Sequence, residues 1–161
     1  MMKKSFFIFV VLILIACISL RTTDRAPEDV SVCGVYHKTV VYLGETPFSL
    51  QIADTDCTRV LGLSGRTTLA ATSGMLFIFP EEKSHGFWMK DMYFPIDIVW
   101  LSSDMRIVGM EKTVEPETYP QSFGKNYQSR FVLELPAGTA DTYQLKIGEY
   151  VRIDEQTSQK Q

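Results

Sequence analysis

Few residues in this 161-residue chain have the chemistry to build a site, and Asp97 is the sharpest of them. It lies between Ile96 and Ile98 in an apolar stretch, where a strand would turn it toward an interior. A buried carboxylate needs a cation or several donors, because leaving it unpaired is costly. Arg66, Lys90 and Arg59 are the cations near the same motifs. On this reading Asp97 and Arg66 line a polar pocket that orients a ligand. The alternative is structural: Asp97 ties its strand to the Gly65-Arg66 loop, as ion-pair networks do elsewhere.

Glu134, within Val132-Leu133-Glu134-Leu135, invites pairing with Asp97 as the two carboxylates of a hydrolase acting on envelope material. A glycosidase needs such groups ~5 Å or ~6.5–9.5 Å apart, and no motif supports the pair. Glu134 reads equally as the outward residue of an alternating strand, or as a backbone cap near Gly138. Phe87-Trp88-Met89-Lys90 has strand spacing, with Phe87 and Met89 facing one way and Trp88 and Lys90 the other. Trp88, Met89 and Phe87 offer an apolar floor for a ligand such as a sugar or lipid; with one set in the core and the other at the surface, the alternatives are a stacking platform on Trp88 beside Lys90 and plain packing.

Other chemistries find less support. His85, Met89 and Met92, with Met75 nearby, are soft ligands of the kind copper(I) prefers, but methionines in apolar strands normally fill gaps. Zinc lacks any paired Cys or His spacing, so no metal site is expected. Ser64 in Gly62-Leu63-Ser64-Gly65 lacks the first glycine of a nucleophile elbow. No glycine loop followed by Lys-Ser/Thr is present to cradle phosphate, and no cofactor is expected.

The elements that must position these residues are short. Residues 39–43 and 48–52 read as a β-hairpin around Gly44 and Pro47. Asp54-Thr55-Asp56 offers caps for a helix over residues 58–63, which Gly62 and Gly65 end. Residues 74–79 form a continuous apolar strand, residues 80–86 a polar turn, and residues 87–90 a short strand pairing back. Residues 96–101 and 106–110 form a second hairpin. Pro116 and Pro120 break the next stretch into a loop. Residues 131–135 are a strand, 139–145 a helical turn, and 149–153 the closing strand. The class is mainly β (α+β): a compact antiparallel β-barrel or sandwich with one or two short helices.

Five blocks occur in one order: Leu61-Gly62-Leu63-Ser64-Gly65-Arg66, Gly74-Met75-Leu76-Phe77-Ile78-Phe79, Phe87-Trp88-Met89-Lys90-Asp91-Met92, Pro95-Ile96-Asp97-Ile98 and Val132-Leu133-Glu134-Leu135-Pro136-Ala137-Gly138. In this order the chain resembles the bacterial and archaeal domain-of-unknown-function family 192, from about Val40 to Ile153. The resemblance implies a small, mainly-β domain, often exported, with no established activity. Asp91-Met92 stands where the family usually shows an Asn-Thr-like pair.

The chain's first 20 residues indicate where it works. Lys3 and Lys4 precede an unbroken apolar run over residues 6–15, and Leu14-Ile15-Ala16-Cys17 closes it. These are the parts of a secretory signal, and the last four resemble a bacterial lipobox, in which the cysteine carries the lipid. An ordinary signal peptide and an uncleaved anchor are the alternatives, although residues 6–20 fall short of the ~20 that a spanning helix needs. Residues 1–20 are thus expected to be a leader, 21–32 a flexible tether, 33–153 one domain and 154–161 a polar tail.

Without Lys3 and Lys4 the basic count falls from 16 to 14 against 19 acids, a net charge near −5. No basic cluster survives, which argues against nucleic acid as a partner. Membrane attachment would then rest on lipid at Cys17. Cys33 and Cys57 are the remaining pair, suited to a disulfide in an oxidising compartment. The expectation is an exported, membrane-anchored envelope domain that binds a small ligand or envelope protein through Arg66, Trp88, Lys90, Asp97 and Glu134 without catalysis. The alternatives are the hydrolase above and a purely structural accessory domain.

Overall fold

A computed structural model describes residues 33–154. The leader, the tether, Cys17 and the tail beyond Asp154 lie outside the described residues. Seven strands form one sheet: β1 (Lys38–Leu43), β2 (Thr46–Ala53), β3 (Ser73–Ser84), β4 (Ile96–Leu101), β5 (Ile107–Val114), β6 (Gln128–Pro136) and β7 (Arg152–Ile153). Two short helices accompany them, α1 (Asp56–Leu61) and α2 (Thr139–Thr142). The order across the sheet is β5-β4-β6-β3-β2-β1-β7. The mainly-β class with short helices is therefore observed. One pair, β2 and β3, runs parallel, and the chain crosses between them through α1.

The sheet curls until its ends meet. Ile107 donates to the Glu149 carbonyl (2.9 Å), Gly148 to that of Ile107 (2.8 Å) and Val151 to that of Met105 (2.9 Å). These bonds occupy backbone groups that the end strands would otherwise leave unpaired.

Strands β3, β6 and β4 lie side by side, and residues 74–77, 132–135 and 96–101 are covered on both faces, which is why those stretches are mostly apolar. On the inner face Leu76, Leu133, Leu135, Val99 and Leu101 pack with Val41, Leu43, Phe48 and Leu50. On the outer face Met75, Phe77, Val132, Ile98 and Trp100 pack under Leu63, Phe87, Met89 and Met92. Cross-strand pairs make rows on this outer face: Gln51–Met75–Glu134–Ile98, and next to it Ala53–Phe77–Val132–Trp100.

Three local readings are corrected. Residues 87–90 are not a strand paired to β3, because β2 and β6 already occupy both edges of β3. Phe87 bridges to Phe123 instead, and the chain turns at Asp91 (φ 56°). The expected alternation persists nonetheless, with Phe87 and Met89 buried and Trp88 and Lys90 exposed. Residues 80–84 continue β3 rather than turning, after a register shift between Ile78 and Lys83. Such a bulge tolerates Pro80, which has no N–H for the ladder. The first helix begins earlier, at Asp56, because Thr55 and Thr58 form a capping box ahead of it.

Asp97 is fully buried and pairs in register with Leu135, on the inner face. Its Oδ1 accepts from the amides of Thr113 (2.7 Å) and Gly138 (3.1 Å), and its Oδ2 from Ala140 (2.7 Å). It thereby holds β5 and the first turn of α2, whose own cap residue, Gly138, has no side chain to do so. The expected partnership with Arg66 is absent: three backbone donors satisfy the carboxylate, and Asp97 serves the fold.

Asp97→Ala should therefore cost about 3–5 kcal/mol, since it strands three buried amides. Asp97→Asn should cost less, because an amide oxygen still accepts from Thr113 and Gly138. Urea unfolding of the two variants measures both. Cys33 and Cys57 are bonded, with a sequence separation of 24 and Cα atoms 5.5 Å apart. The double Cys→Ser variant should lose about 3 kcal/mol by the same measurement.

Candidate functional site

The outer face carries a second carboxylate, and its surroundings differ from those of Asp97. Glu134 stands in the row Gln51–Met75–Glu134–Ile98, buried beneath the segments that cover the sheet. No described residue donates a hydrogen bond to it, and its Oε2 is a buried oxygen without a partner. Burial pushes its pKa up to about 8, with Arg66 opposing more weakly. At neutral pH it is mostly a neutral carboxylic acid, able both to donate and to accept.

Glu134 forms the floor of a cavity of about 400 Å³, a size typical of small-molecule sites. Helix α1 supplies one wall. Arg59 is only 15% exposed in its side chain and is held by three acceptors. Its Nη1 donates to the carbonyls of Asp54 (2.6 Å) and Ile78 (2.8 Å), and its Nη2 to Asp56 (2.7 Å). The guanidinium also lies 5.6 Å from the Phe79 ring centre. Gly62 ends the helix at φ 53°, a conformation that disfavours any side chain. A Cβ there would sit 3.3 Å from the Phe77 ring and 3.8 Å from Glu134 Oε2, so glycine keeps the floor clear. Gly74 permits the other close approach, because a Cβ on it would collide with the Glu134 carbonyl oxygen.

The opposite wall is aromatic and is pinned from below. Trp100 Nε1 donates to the His85 carbonyl at 3.0 Å, fixing the start of the 85–88 segment. Phe87 meets Phe77 edge-on at 4.8 Å, and His85 stacks on Phe79 at 3.5 Å. Partial burial lowers the His85 pKa from 6.5, leaving the ring neutral at neutral pH. Trp88, 53% exposed, stands at the rim with its edge toward Tyr119.

Of the five residues expected to form a site, Glu134 and Trp88 line this cavity. Asp97 faces the opposite side of the sheet. Because Glu134 pairs with Ile98, and Asp97 with Leu135, the two carboxylates point away from each other. The two-carboxylate hydrolase arrangement is not formed. Arg66 donates to Gln51 Oε1 (2.5 Å) and lies over the Tyr36 ring, two strands from Glu134. Lys90 is exposed and does not line the cavity; its carbonyl accepts from Ser64 Oγ at 2.8 Å, which occupies that hydroxyl. Met89 and Met92 are in the outer core, and no three His, Cys, Asp or Glu side chains gather among the described residues. Sequence reasoning left Arg59, Gly62, Phe77, Phe79 and Phe87 out of the site. The local signal for Gly62 and Arg59 was the helix end, and for Phe87 its place beside Trp88 in an aromatic block; nothing local pointed to Phe77 or Phe79.

No match is found among curated proteins. Solved structures share the fold, among them the following two. One, described as a putative transcription regulator from Sinorhizobium meliloti 1021, superposes with a TM-score of 0.67 at 24% identity, over 74% of this chain and 94% of its own. The other, a protein of unknown function from Novosphingobium aromaticivorans, has a TM-score of 0.65 at 24% identity, over 76% of this chain and 89% of its own. At that identity the likeness is one of fold. Residues 39–153 match the model of domain-of-unknown-function family 192, described as an uncharacterized ACR, and the chain belongs to that family.

Proposed function

We propose that this protein is an exported envelope domain, anchored by lipid on Cys17, that binds a small ligand in the Glu134 cavity without turning it over. The observation that carries the reading is the Glu134 carboxyl: buried, unbonded and on the floor of an open cavity. A buried polar group without a partner is destabilising and rare, and a ligand bonded to it removes the penalty. Export is supported by the Cys33–Cys57 disulfide, which belongs in an oxidising compartment, and by the apolar leader that ends at Cys17. Among the described residues no helix is long and apolar enough to cross a membrane, and a lipid anchor needs none. Binding rather than turnover is supported by the lack, among the described residues, of a second carboxylate beside Glu134. Asp56, the other acid on the cavity, has a 99% exposed side chain and is paired to Arg59.

Mass spectrometry of the protein purified from native envelopes tests this. The mature chain should begin at an acylated Cys17, and a denaturing extract should release a small molecule missing from the Glu134→Leu variant. A mature end elsewhere overturns the anchor; identical extracts overturn the binding.

Glu134 also sets a pH dependence. Its folded pKa, near 8, exceeds the ordinary 4.5, so between those values the folded state holds a proton the unfolded state has lost. Stability conferred this way declines as pH rises through that window and levels off above about 8. His85, shifted below 6.5, contributes only in more acidic solution. Urea unfolding between pH 6.5 and 8.5 should show wild-type stability falling with pH, and Glu134→Gln should flatten the fall.

A further inference from the structure

We propose that the cavity takes an uncharged amide flanked by an apolar or aromatic group, the amide bonding to Glu134 and the apolar group lying against Phe77, Phe87 and Trp88. This rests on the reading of the cavity as a binding site and names the chemistry of its ligand. Three observations point to it.

The first is charge. The ionisable groups facing Glu134 from the surrounding elements are Asp56 and Arg59 on α1, Arg66 on the following loop, and His85 on the opposite wall. Asp56 is paired to Arg59, and Arg66 leaves a positive influence at the floor. An ammonium group would enter against the positive influence of Arg66. A carboxylate would meet an Arg59 with both Nη1 hydrogens and one on Nη2 already committed to protein acceptors.

The second is hydrogen-bonding capacity. A neutral carboxylic acid carries one donor and one acceptor on the same group, and an amide carries the complementary N–H and C=O. Among the described residues no group bonds to Glu134, whose buried Oε2 lacks a partner, so neither function is taken up by the protein. The third is shape. The floor is overlooked by the Phe77 and Phe87 rings, set edge-to-face at 89°, with Trp88 at the rim, so the group beside the amide meets aromatic surface.

Three phenyl-bearing probes of similar size separate the alternatives: benzamide, benzylamine and sodium benzoate, titrated into the purified full-length protein. The chain has two tryptophans, so the indole N–H signals of Trp88 and Trp100 form a two-peak NMR reporter. Benzamide should move the Trp88 signal and bind about tenfold more tightly than either charged probe at pH 6.5, the worth of roughly one net hydrogen bond. Its affinity for the wild type should drop about tenfold by pH 9, where the acid loses its donor. Glu134→Gln, which keeps a donor and an acceptor, should bind benzamide with no pH dependence, whereas Glu134→Leu should bind it weakly throughout. The wild-type pH profile requires no variant to fold.

Preference for benzylamine or benzoate overturns the amide assignment and leaves the binding site standing. No response to any probe, in a protein whose native extract still yields a Glu134-dependent molecule, overturns the amide alone. No response together with an empty extract overturns both.

Discussion

Residues 74–77 of β3, 132–135 of β6 and 96–101 of β4 are buried, with apolar side chains over both faces, and that constraint governs the acids within those stretches. In such a strand neither direction leads to water, so a carboxylate must find donors inside the protein or give up its charge. Two carboxylates stand in this region, and they meet the constraint in opposite ways. Asp97 has three backbone amides converging on it and joins α2 to the barrel wall. Glu134 has none, and burial holds its proton on to about pH 8.

The difference comes from what lies over each face. The inner face is closed by the sheet's own curvature and by α2, whose first turn presents free N–H groups where Asp97 points. The outer face is closed by chain that arrives from elsewhere: α1 and its loop on one side, and residues 85–88 on the other. Those two segments do not meet over Glu134, and the gap between them is the cavity. A disulfide to Cys33 fastens Cys57 within α1, and a buried indole bond fastens the His85 backbone. The rims of the gap are thus held, and a glycine at position 62 keeps it from being filled. A structural role for Glu134 would call for donors like those around Asp97, and the outer face has supplied none.

Asp97 and Glu134 were both legible as unusual, because a single acid in an apolar run stands out whatever the fold. Their relation was not. Alternation says that neighbours on one strand point oppositely, but whether residues on two strands share a face depends on register, and a one-residue slip reverses the answer. Arg66 illustrates the same limit. It lies in a loop close to the right motifs, and which acceptor it reaches is a matter of where β2 places Gln51. The strand expected at residues 87–90 failed for a related reason: its pattern was right, and it found both edges of β3 already taken.

Local chemistry alone determined the mainly-β class, most strand positions, the helix ended by Gly62, the cysteine pair and the family blocks. Each of these is written in residues that are neighbours in the chain, through period-two alternation, turn glycines and capping hydroxyls. The tertiary structure alone decided which carboxylate would be satisfied and which left with an open side. That outcome depends on segments 46 to 78 residues from Glu134 in the chain coming to cover one face of a sheet, and nothing within a strand's own sequence records what will lie above it.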